Sequence, residues 1–145
     1  MTNVEHLSAE ACQTLLAAGL VGRVAFWADG PHVVPVNFAV SGSDLVLRTS
    51  EDSLLATRGP GTQVALEIDH IDYQGHRGWS VVAVGPCAVI EDPAVIDAIC
   101  ADWEPRPWAD GDREAFLVIA PEAVSGRRVG GGWTHANEVP VRRRR

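Results

Sequence analysis

The stretch LRTSEDSLLATRGPGTQVALEID, residues 47–69, has the pattern of a strand, a short helix and a second strand. The first strand is predicted to end at Thr49, and the helix to cover residues 51–58. A Gly-Pro-Gly sequence at residues 59–61 ends this helix, because glycine and proline both interrupt helical backbone. Over residues 62–69, strongly apolar residues alternate with less apolar or polar ones, which predicts a half-buried strand.

A strand that leads into a helix suits an anion, because exposed backbone N–H groups and the helix dipole both favour negative charge. Hydroxyl groups of Thr49, Ser50 and Ser53 lie at this junction in the sequence. The predicted first turn, however, carries Leu54 and Leu55 where an anion site would be expected to place basic residues. The segment therefore has the shape of a phosphate site with reduced charge.

Hydrophobic alternation and turn residues predict four further strands around this segment. Asp29-Gly30 is a strong signal for a hairpin turn, and Gly85-Pro86 predicts a bulge or bend in a long strand. Six strands are predicted in all, at residues 22–28, 32–40, 45–49, 62–69, 78–90 and 114–124. Helices are predicted after the N-cap Ser8, at residues 51–58, and from Asp92-Pro93 to about Trp103. The pattern predicts a mainly β protein, a small antiparallel barrel with short helices at its ends.

Length and composition narrow the class of protein. The chain has 145 residues, enough for one domain, and no apolar run long enough to span a bilayer. The start of the chain lacks the pattern of a signal peptide, so a cytoplasmic protein is expected. Its three cysteines are far apart and are expected to be buried and reduced, and no histidine or cysteine spacing predicts a metal site.

The charge distribution argues against nucleic acid as a partner. The formal net charge is −7, and all 12 basic residues are arginines. Four of these arginines end the chain at residues 142–145, so the remaining body is more acidic still. Residues 1–128 are predicted to form the folded domain, and residues 129–145 a flexible tail rich in glycine and arginine, the mobile sequence starting near Ser125.

Six segments, in this order and at sensible spacing, resemble the pyridoxamine-5′-phosphate-oxidase-like split-barrel flavoproteins. The segments are GRVAF, DGPHVVPVNF, LVLRTS, VALEID, GWSVVAVGPCAVI and FLVIAPEAVSGRR. The resemblance covers about residues 5–128 and looks closest to an actinobacterial branch related to nitroimidazole-resistance proteins. It implies a six-stranded antiparallel split β-barrel of the FMN-binding type. It also implies a homodimer with two flavin sites at the subunit interface.

The resemblance further implies where the ring of the cofactor would lie. The strand that contains Pro35, Val36 and Asn37 is expected to offer backbone groups to the isoalloxazine ring. Pro35 lacks an N–H group, which predicts a bulge or the edge of a sheet at this point. Trp79 and Ser80 are expected beside the cofactor at the start of the long strand, although Trp79 is equally compatible with a core position.

For the cofactor phosphate, the resemblance implies contacts from Thr49, Ser50 and Ser53, with Leu54 in the place of a basic residue. Two nearby arginines are candidates to replace the missing charge. Arg58 lies one turn beyond Leu54 on the same helix face, whereas Arg48 is expected on the opposite strand face from Thr49.

Three further features affect how well an anion could bind. Glu51 and Asp52 are predicted in the first helical turn, where their negative charges would oppose one. Arg77 and the pair Arg127-Arg128 are additional candidates for anion contacts.

The predicted function is flavin-mediated hydride or electron transfer to or from a small molecule, by an FMN-binding oxidoreductase. Because the flavin carries the chemistry, no catalytic acid or base has to be found in the sequence. One alternative is a reductase of the same fold that uses the deazaflavin F420, whose anionic tail fits an acidic protein poorly. The other is a non-catalytic binding module that has lost its flavin.

Overall fold

The computed structural model describes residues 4–103 and 115–138, which form eight strands and four helices. The strands are β1 (Val4–His6), β2 (Val21–Trp27), β3 (Pro31–Ser41), β4 (Asp44–Thr49), β5 (Gln63–Asp72), β6 (Arg77–Val89), β7 (Ala115–Ile119) and β8 (Ala123–Val129). The helices are α1 (Ala9–Ala18), α2 (Leu54–Arg58), α3 (Pro93–Trp103) and α4 (His135–Glu138). Within these ranges no helix combines the length and the apolar character needed to cross a membrane.

Six of the strands close on themselves in the order β6-β5-β2-β3-β4-β7, since β7 also pairs with β6. All of the pairings are antiparallel, and β8 and β1 extend the sheet beyond β6. The predicted six-stranded antiparallel barrel is therefore confirmed. The two additional strands were not predicted.

Strand β6 belongs to two parts of the sheet. It pairs with β8 up to Val84 and with β7 from Cys87 onward, so it changes partner at Gly85-Pro86. A side chain at Gly85 would overlap the carbonyl oxygen of Ala120, and glycine is therefore required where the strands come together. The register with β5 runs through this point without an inserted residue. The sequence signal thus marks a change of partner and not a bulge.

The core fills the barrel and the space under α1. Cys12, Leu15 and Leu16 of α1 are buried against the sheet, together with Phe38 from β3. Helix α1 begins as predicted, because the Ser8 hydroxyl accepts a hydrogen bond of 3.1 Å from the backbone N–H of Ala11. Of the three cysteines, Cys12 and Cys87 are buried, whereas Cys100 is only half-buried.

The prediction of one final strand at residues 114–124 is wrong. Residues 115–119 form β7, which closes the barrel, and the chain turns at Pro121 before β8 begins. Strand β8 continues to Val129, so the prediction of mobile sequence from Ser125 is wrong for the last five residues of this strand. These residues pair with β6, and the last three of them also pair with β1, so Ser125 and Arg127 face outward from an ordered strand.

The predicted loop at residues 70–77 is much shorter in the structure, because β5 continues to Asp72 and β6 starts at Arg77. The Asp72 carboxylate closes the tight turn by accepting hydrogen bonds from the Gly75 N–H and the Arg77 side chain. Both hydrogen bonds hold the pKa of Asp72 below its ordinary value, and the bond from Gly75 has the larger effect.

Residues 130–138 pack on the end of the barrel near this turn. The Arg77 guanidinium donates to the Gly132 carbonyl at 2.7 Å and lies 5.6 Å from the centroid of the Trp133 ring. Arg128 binds Glu5 and Glu138, at 2.8 Å to each, and so joins β1 to α4. The proposed division of the chain at residues 128 and 129 stays a prediction, and residues 139–145 lie outside the described residues.

Candidate functional site

The barrel opens where β3 and β4 separate. The two strands pair from Ser41 and Asp44 as far as Phe38 and Leu47, and the pairing stops there. Two residues further along, β3 presents Val36, while β4 ends at Thr49 and is followed by the turn before α2. The predicted ring strand and the predicted phosphate segment therefore lie on the two sides of one opening.

The edge of β3 at this opening has backbone groups directed away from β2. The Phe38 N–H donates to the Leu20 carbonyl at 3.0 Å. Because hydrogen bonds in an antiparallel pair involve alternate residues, the backbone groups of Val33 and Pro35 point to the other side. Among the described residues no strand pairs with that side before Phe38. Pro35 therefore lies at the edge of a sheet, which is one of the two positions predicted for it. Its missing N–H removes no hydrogen bond from the sheet.

The hydroxyl groups on the other side of the opening lie together. The Thr49 hydroxyl donates to the Ser53 hydroxyl oxygen at 3.1 Å, and that oxygen also accepts a hydrogen bond from the Ala56 N–H. Ser53 is therefore the N-cap of α2. The backbone N–H of Ser53 donates to the Ser50 carbonyl at 3.1 Å, which fixes the turn between strand and helix. All three hydroxyl residues are half-buried.

The helix begins later than the sequence suggested. It covers only Leu54–Arg58, because the Ser53 side chain caps the backbone at that point. Glu51 and Asp52 precede the cap and are exposed, so the prediction that they occupy the first helical turn is wrong. Leu55 points into the core, whereas Leu54 is 43% exposed at the start of the helix. Of these two leucines, only Leu54 has a side chain that is free of the core.

The two arginines proposed to supply positive charge are held elsewhere in the structure. The Arg48 guanidinium lies 5.1 Å from the centroid of the Phe116 ring, and the alternation of β4 places it on the opposite strand face from Thr49, as predicted. Arg58 donates to the Asp29 carboxylate at 3.2 Å, in the turn between β2 and β3. This bond lowers the pKa of Asp29. Helix α2 is thus tied to the barrel at both ends, by Ser53 and by Arg58.

Trp79 and Ser80 are consecutive residues of β6, and their side chains face opposite sides of the sheet. Trp79 is buried in the core, and its indole N–H donates to the Glu138 carbonyl at 2.6 Å. Ser80 lies on the outer face, where it lines a shallow pocket of about 340 Å³ with His6, Ser125 and Arg127. In the sheet, β5 and β2 separate β6 from β3, so one protomer does not bring these two residues to the opening.

An ionic cluster on the outer face of the barrel was missed from the sequence. Arg23 on β2 donates to Glu67 at 2.9 Å and to Asp69 at 3.1 Å, both on β5. Burial raises the pKa of Glu67, and a hydrogen bond with Asp69 adds to this rise, although Arg23 opposes it. The alternation of acidic residues along β5 was visible in the sequence, but the pairing of β5 with β2 was not.

Apolar residues lie along one side of this cluster on the outer face. Trp27 and Val33 are 67% and 64% exposed, and the strand pairings align them with smaller apolar residues of neighbouring strands. One row across the sheet consists of Val33, Ala25, Ala65, Val84 and Ala123. We call these five residues, with Trp27, the outer apolar band. Exposed apolar surface of this kind commonly marks a contact surface.

Known proteins share both the sequence and the fold. The family model described as pyridoxamine 5′-phosphate oxidase matches residues 8–128. The uncharacterized protein Rv0080 of Mycobacterium tuberculosis is 30% identical over 134 residues, which cover 87% of this chain and 86% of the relative. The structure of a FAD binding protein from Mycobacterium smegmatis is similar, with 28% identity and a TM-score of 0.73 over 87% of this chain and 98% of that one.

A proposed 5-nitroimidazole antibiotic resistance protein from Bacteroides thetaiotaomicron shares the fold. The similarity covers 90% of this chain and 92% of that one, with a TM-score of 0.64 and 16% identity. These matches confirm the resemblance found in the sequence. The chain belongs to the pyridoxamine 5′-phosphate oxidase family.

Proposed function

We propose that the protein is an FMN-binding oxidoreductase that transfers hydride or electrons between its flavin and a small molecule. The observation that carries the proposal is the opening between β3 and β4, where an open strand edge faces the hydroxyl pair of Thr49 and Ser53. The similarity to a FAD binding protein supports a flavin as the cofactor.

The residues at the opening fit a flavin in two respects. The flat, polar edge of an isoalloxazine ring can be read by the outward backbone groups at Val33 and Pro35, which are rigid because β3 is paired with β2 on its other side. The hydroxyl groups of Thr49 and Ser53 can donate to phosphate oxygens. Bound flavin would supply the redox chemistry, and the protein would supply orientation and exclusion of water.

The charge at the opening favours a cofactor with a short anionic end. Arg58, the basic residue of α2, is paired with Asp29, and Leu54 replaces a basic residue at the first helical position. FMN carries one phosphate, whereas FAD carries a diphosphate and F420 a longer anionic tail. FMN is therefore our proposal, and FAD is the main competitor because a similar structure is that of a FAD binding protein.

We further propose that two copies of the chain associate through the outer apolar band. The band is exposed in the single chain, and association would remove Trp27 and Val33 from water. It adjoins β3, so a partner subunit seated on it would lie next to the opening. This arrangement would complete each flavin site with residues from the second copy. The proposal also keeps the predicted cytoplasmic location.

The first test is binding of the cofactor by the purified full-length protein. We expect yellow protein with the absorbance of oxidised flavin, or saturable binding when FMN is titrated into colourless protein. Parallel titrations with FAD and F420 decide between the cofactors. Colourless protein that binds none of the three would support the alternative of a non-catalytic module.

Ser53 offers a sharper test of the phosphate position. Asp and Asn are both good N-cap residues, so Ser53→Asp and Ser53→Asn should both preserve α2. Only Ser53→Asp adds negative charge, and we expect it to weaken FMN binding at least tenfold relative to Ser53→Asn. Equal affinities for the two variants in calorimetry would show that the phosphate binds elsewhere.

Leu54→Arg tests the same position in the opposite direction. A charged hydrogen bond contributes about 1.5–3 kcal/mol, so we expect FMN to bind roughly ten- to a hundredfold more tightly. Val95→Arg is a matched control, because Val95 is 45% exposed and lies on α3. If both substitutions raised the affinity equally, the effect would be one of net charge and not of position.

A further inference from the structure

A second cavity, partly open to solvent, lies on the opposite face of β4 from the barrel interior. It has a volume of about 520 Å³ and separates α3 from the outer face of β3, β4 and β7. Seven of its lining residues are apolar, among them Val46, Ile99 and Val118. The two polar ones, Ser41 and Asp44, lie next to each other at the turn between β3 and β4. Neighbouring Leu45 and Leu47 point into the core, so this cavity is separate from the opening described above.

The helix above this cavity does not pack tightly on the sheet. None of the described side chains of α3 is fully buried, and Val95 is 45% exposed, although α1 buries three residues in the same structure. Protein interiors are normally packed as densely as organic crystals, so two apolar surfaces with a gap between them suit a guest molecule. The volume lies within the range typical of sites for small molecules.

The charges around the cavity favour a cationic guest. Asp44 makes no ion pair with the residues that the structure describes. The sequence from residue 78 to residue 103 contains no basic side chain, while Glu91 and Asp92 are acidic at the start of α3. Arg48 follows on the same face of β4, but its guanidinium stacks on Phe116 and does not line the cavity.

We propose that this cavity binds a small apolar amine. The ammonium group would bind the Asp44 carboxylate and the Ser41 hydroxyl, and the hydrocarbon part would fill the space between α3 and the sheet. A carboxylate beside an apolar cavity favours an amine over a neutral molecule, because the ion pair is partly shielded from water. It disfavours an acid of the same shape by repulsion.

Calorimetric titration of the full-length protein with three probes of equal chain length tests the proposal. We expect n-octylamine to bind saturably with one site per chain, at least tenfold more tightly than octan-1-ol and octanoate. Asp44→Asn should remove this preference for the amine. Asp97→Asn is the matched control, because it removes one acidic charge from a residue of α3 that does not line the cavity.

Filling the cavity gives an independent test. Ala98→Trp and Ala94→Phe each place a large side chain in it, and we expect either variant to abolish binding of the amine without changing the binding of FMN. The proposal is overturned if the three probes bind equally, if octylamine does not bind, or if a folded variant with a filled cavity binds it unchanged. Unaltered circular dichroism and melting temperature establish that a variant is folded.

Discussion

At the scale of single residues, burial sets the reactivity of the cysteine thiols. Burial raises the pKa of Cys87 to about 11 and also raises that of Cys12. The thiolate is the reactive form, and at pH 8 about one Cys87 thiol in a thousand is ionised. We expect Ellman's reagent to modify Cys100 in the native protein and all three cysteines after unfolding in guanidinium. Rapid modification of Cys87 in the native protein would contradict its burial.

The stability of the protein depends on pH through the ionisation of Glu67. Its pKa in the folded protein is raised, chiefly by burial, so the folded state holds this proton more tightly than the unfolded state does. Ionisation therefore lowers stability as the pH rises from the unfolded pKa, about 4.5, through the folded pKa. We expect Glu67→Gln to gain stability relative to wild type over that range, measured by urea unfolding.

The same variant has a simple control. Glu10→Gln removes one negative charge from an exposed residue of α1, so it controls for the change in net charge. A constant difference between Glu67→Gln and wild type across the range would show that Glu67 does not hold the proton differently in the two states.

The residues of the site differ in how far the sequence could predict them. The pair of Thr49 and Ser53 was predictable, because the two residues are four apart and a strand-to-helix turn brings them together. The partner of Arg58 was not, because Asp29 is 29 residues away and reaches it only through the pairing of the strands. The same reason explains why the cluster around Arg23 was missed.

At the scale of elements, the contact of β6 with the turn between β7 and β8 depends on Gly85. A methyl group there would overlap the Ala120 carbonyl, and the other atoms that it would meet belong to the backbone of Ala120 and Pro121, which cannot move aside as a flexible side chain could. We expect Gly85→Ala to lower the free energy of unfolding by about 1–3 kcal/mol. Gly131→Ala is the control, because a methyl group added at Gly131 would meet no atom within 4 Å. Equal effects in denaturant unfolding would contradict this account.

The elements themselves were predicted best where the signal is local. The hairpin of β2 and β3 and the start of α1 were found from Asp29-Gly30 and from Ser8. The boundary between β7 and β8 was missed, because its turn signal is weak and β7 ends only when the barrel has closed. Similarly, α2 was predicted three residues too long at its start, since several polar residues before Leu54 could each have capped it.

At the scale of the whole molecule, the outer apolar band predicts the oligomeric state. The mass of one chain is 15.5 kDa, so a dimer has a mass of about 31 kDa, twice that value. We expect light scattering to give the dimer mass for the wild type and the monomer mass for Trp27→Glu, because a charge placed in a buried apolar contact is costly. Val95→Glu, equally charged but on α3, should remain dimeric. A monomeric wild-type protein would contradict the proposal.

Dimerisation and cofactor binding are separable in the same experiment. If the second subunit completes each flavin site, Trp27→Glu should also bind FMN more weakly than the wild type does. Undiminished affinity in a monomeric variant would leave the flavin proposal intact and refute the contribution of the partner.

The change of partner in β6 also affects how the barrel opens. Almost the whole strand is hydrogen-bonded along both edges, to β5 on one side and to β8 and then β7 on the other, whereas β1 pairs with β8 alone among the strands that the structure describes. In deuterium oxide, the amides of β1 should therefore be replaced within the early time points of mass spectrometry. Those of β6 should retain hydrogen until the whole chain unfolds. The slowest isotope uptake would then trace a strand that runs through both parts of the sheet.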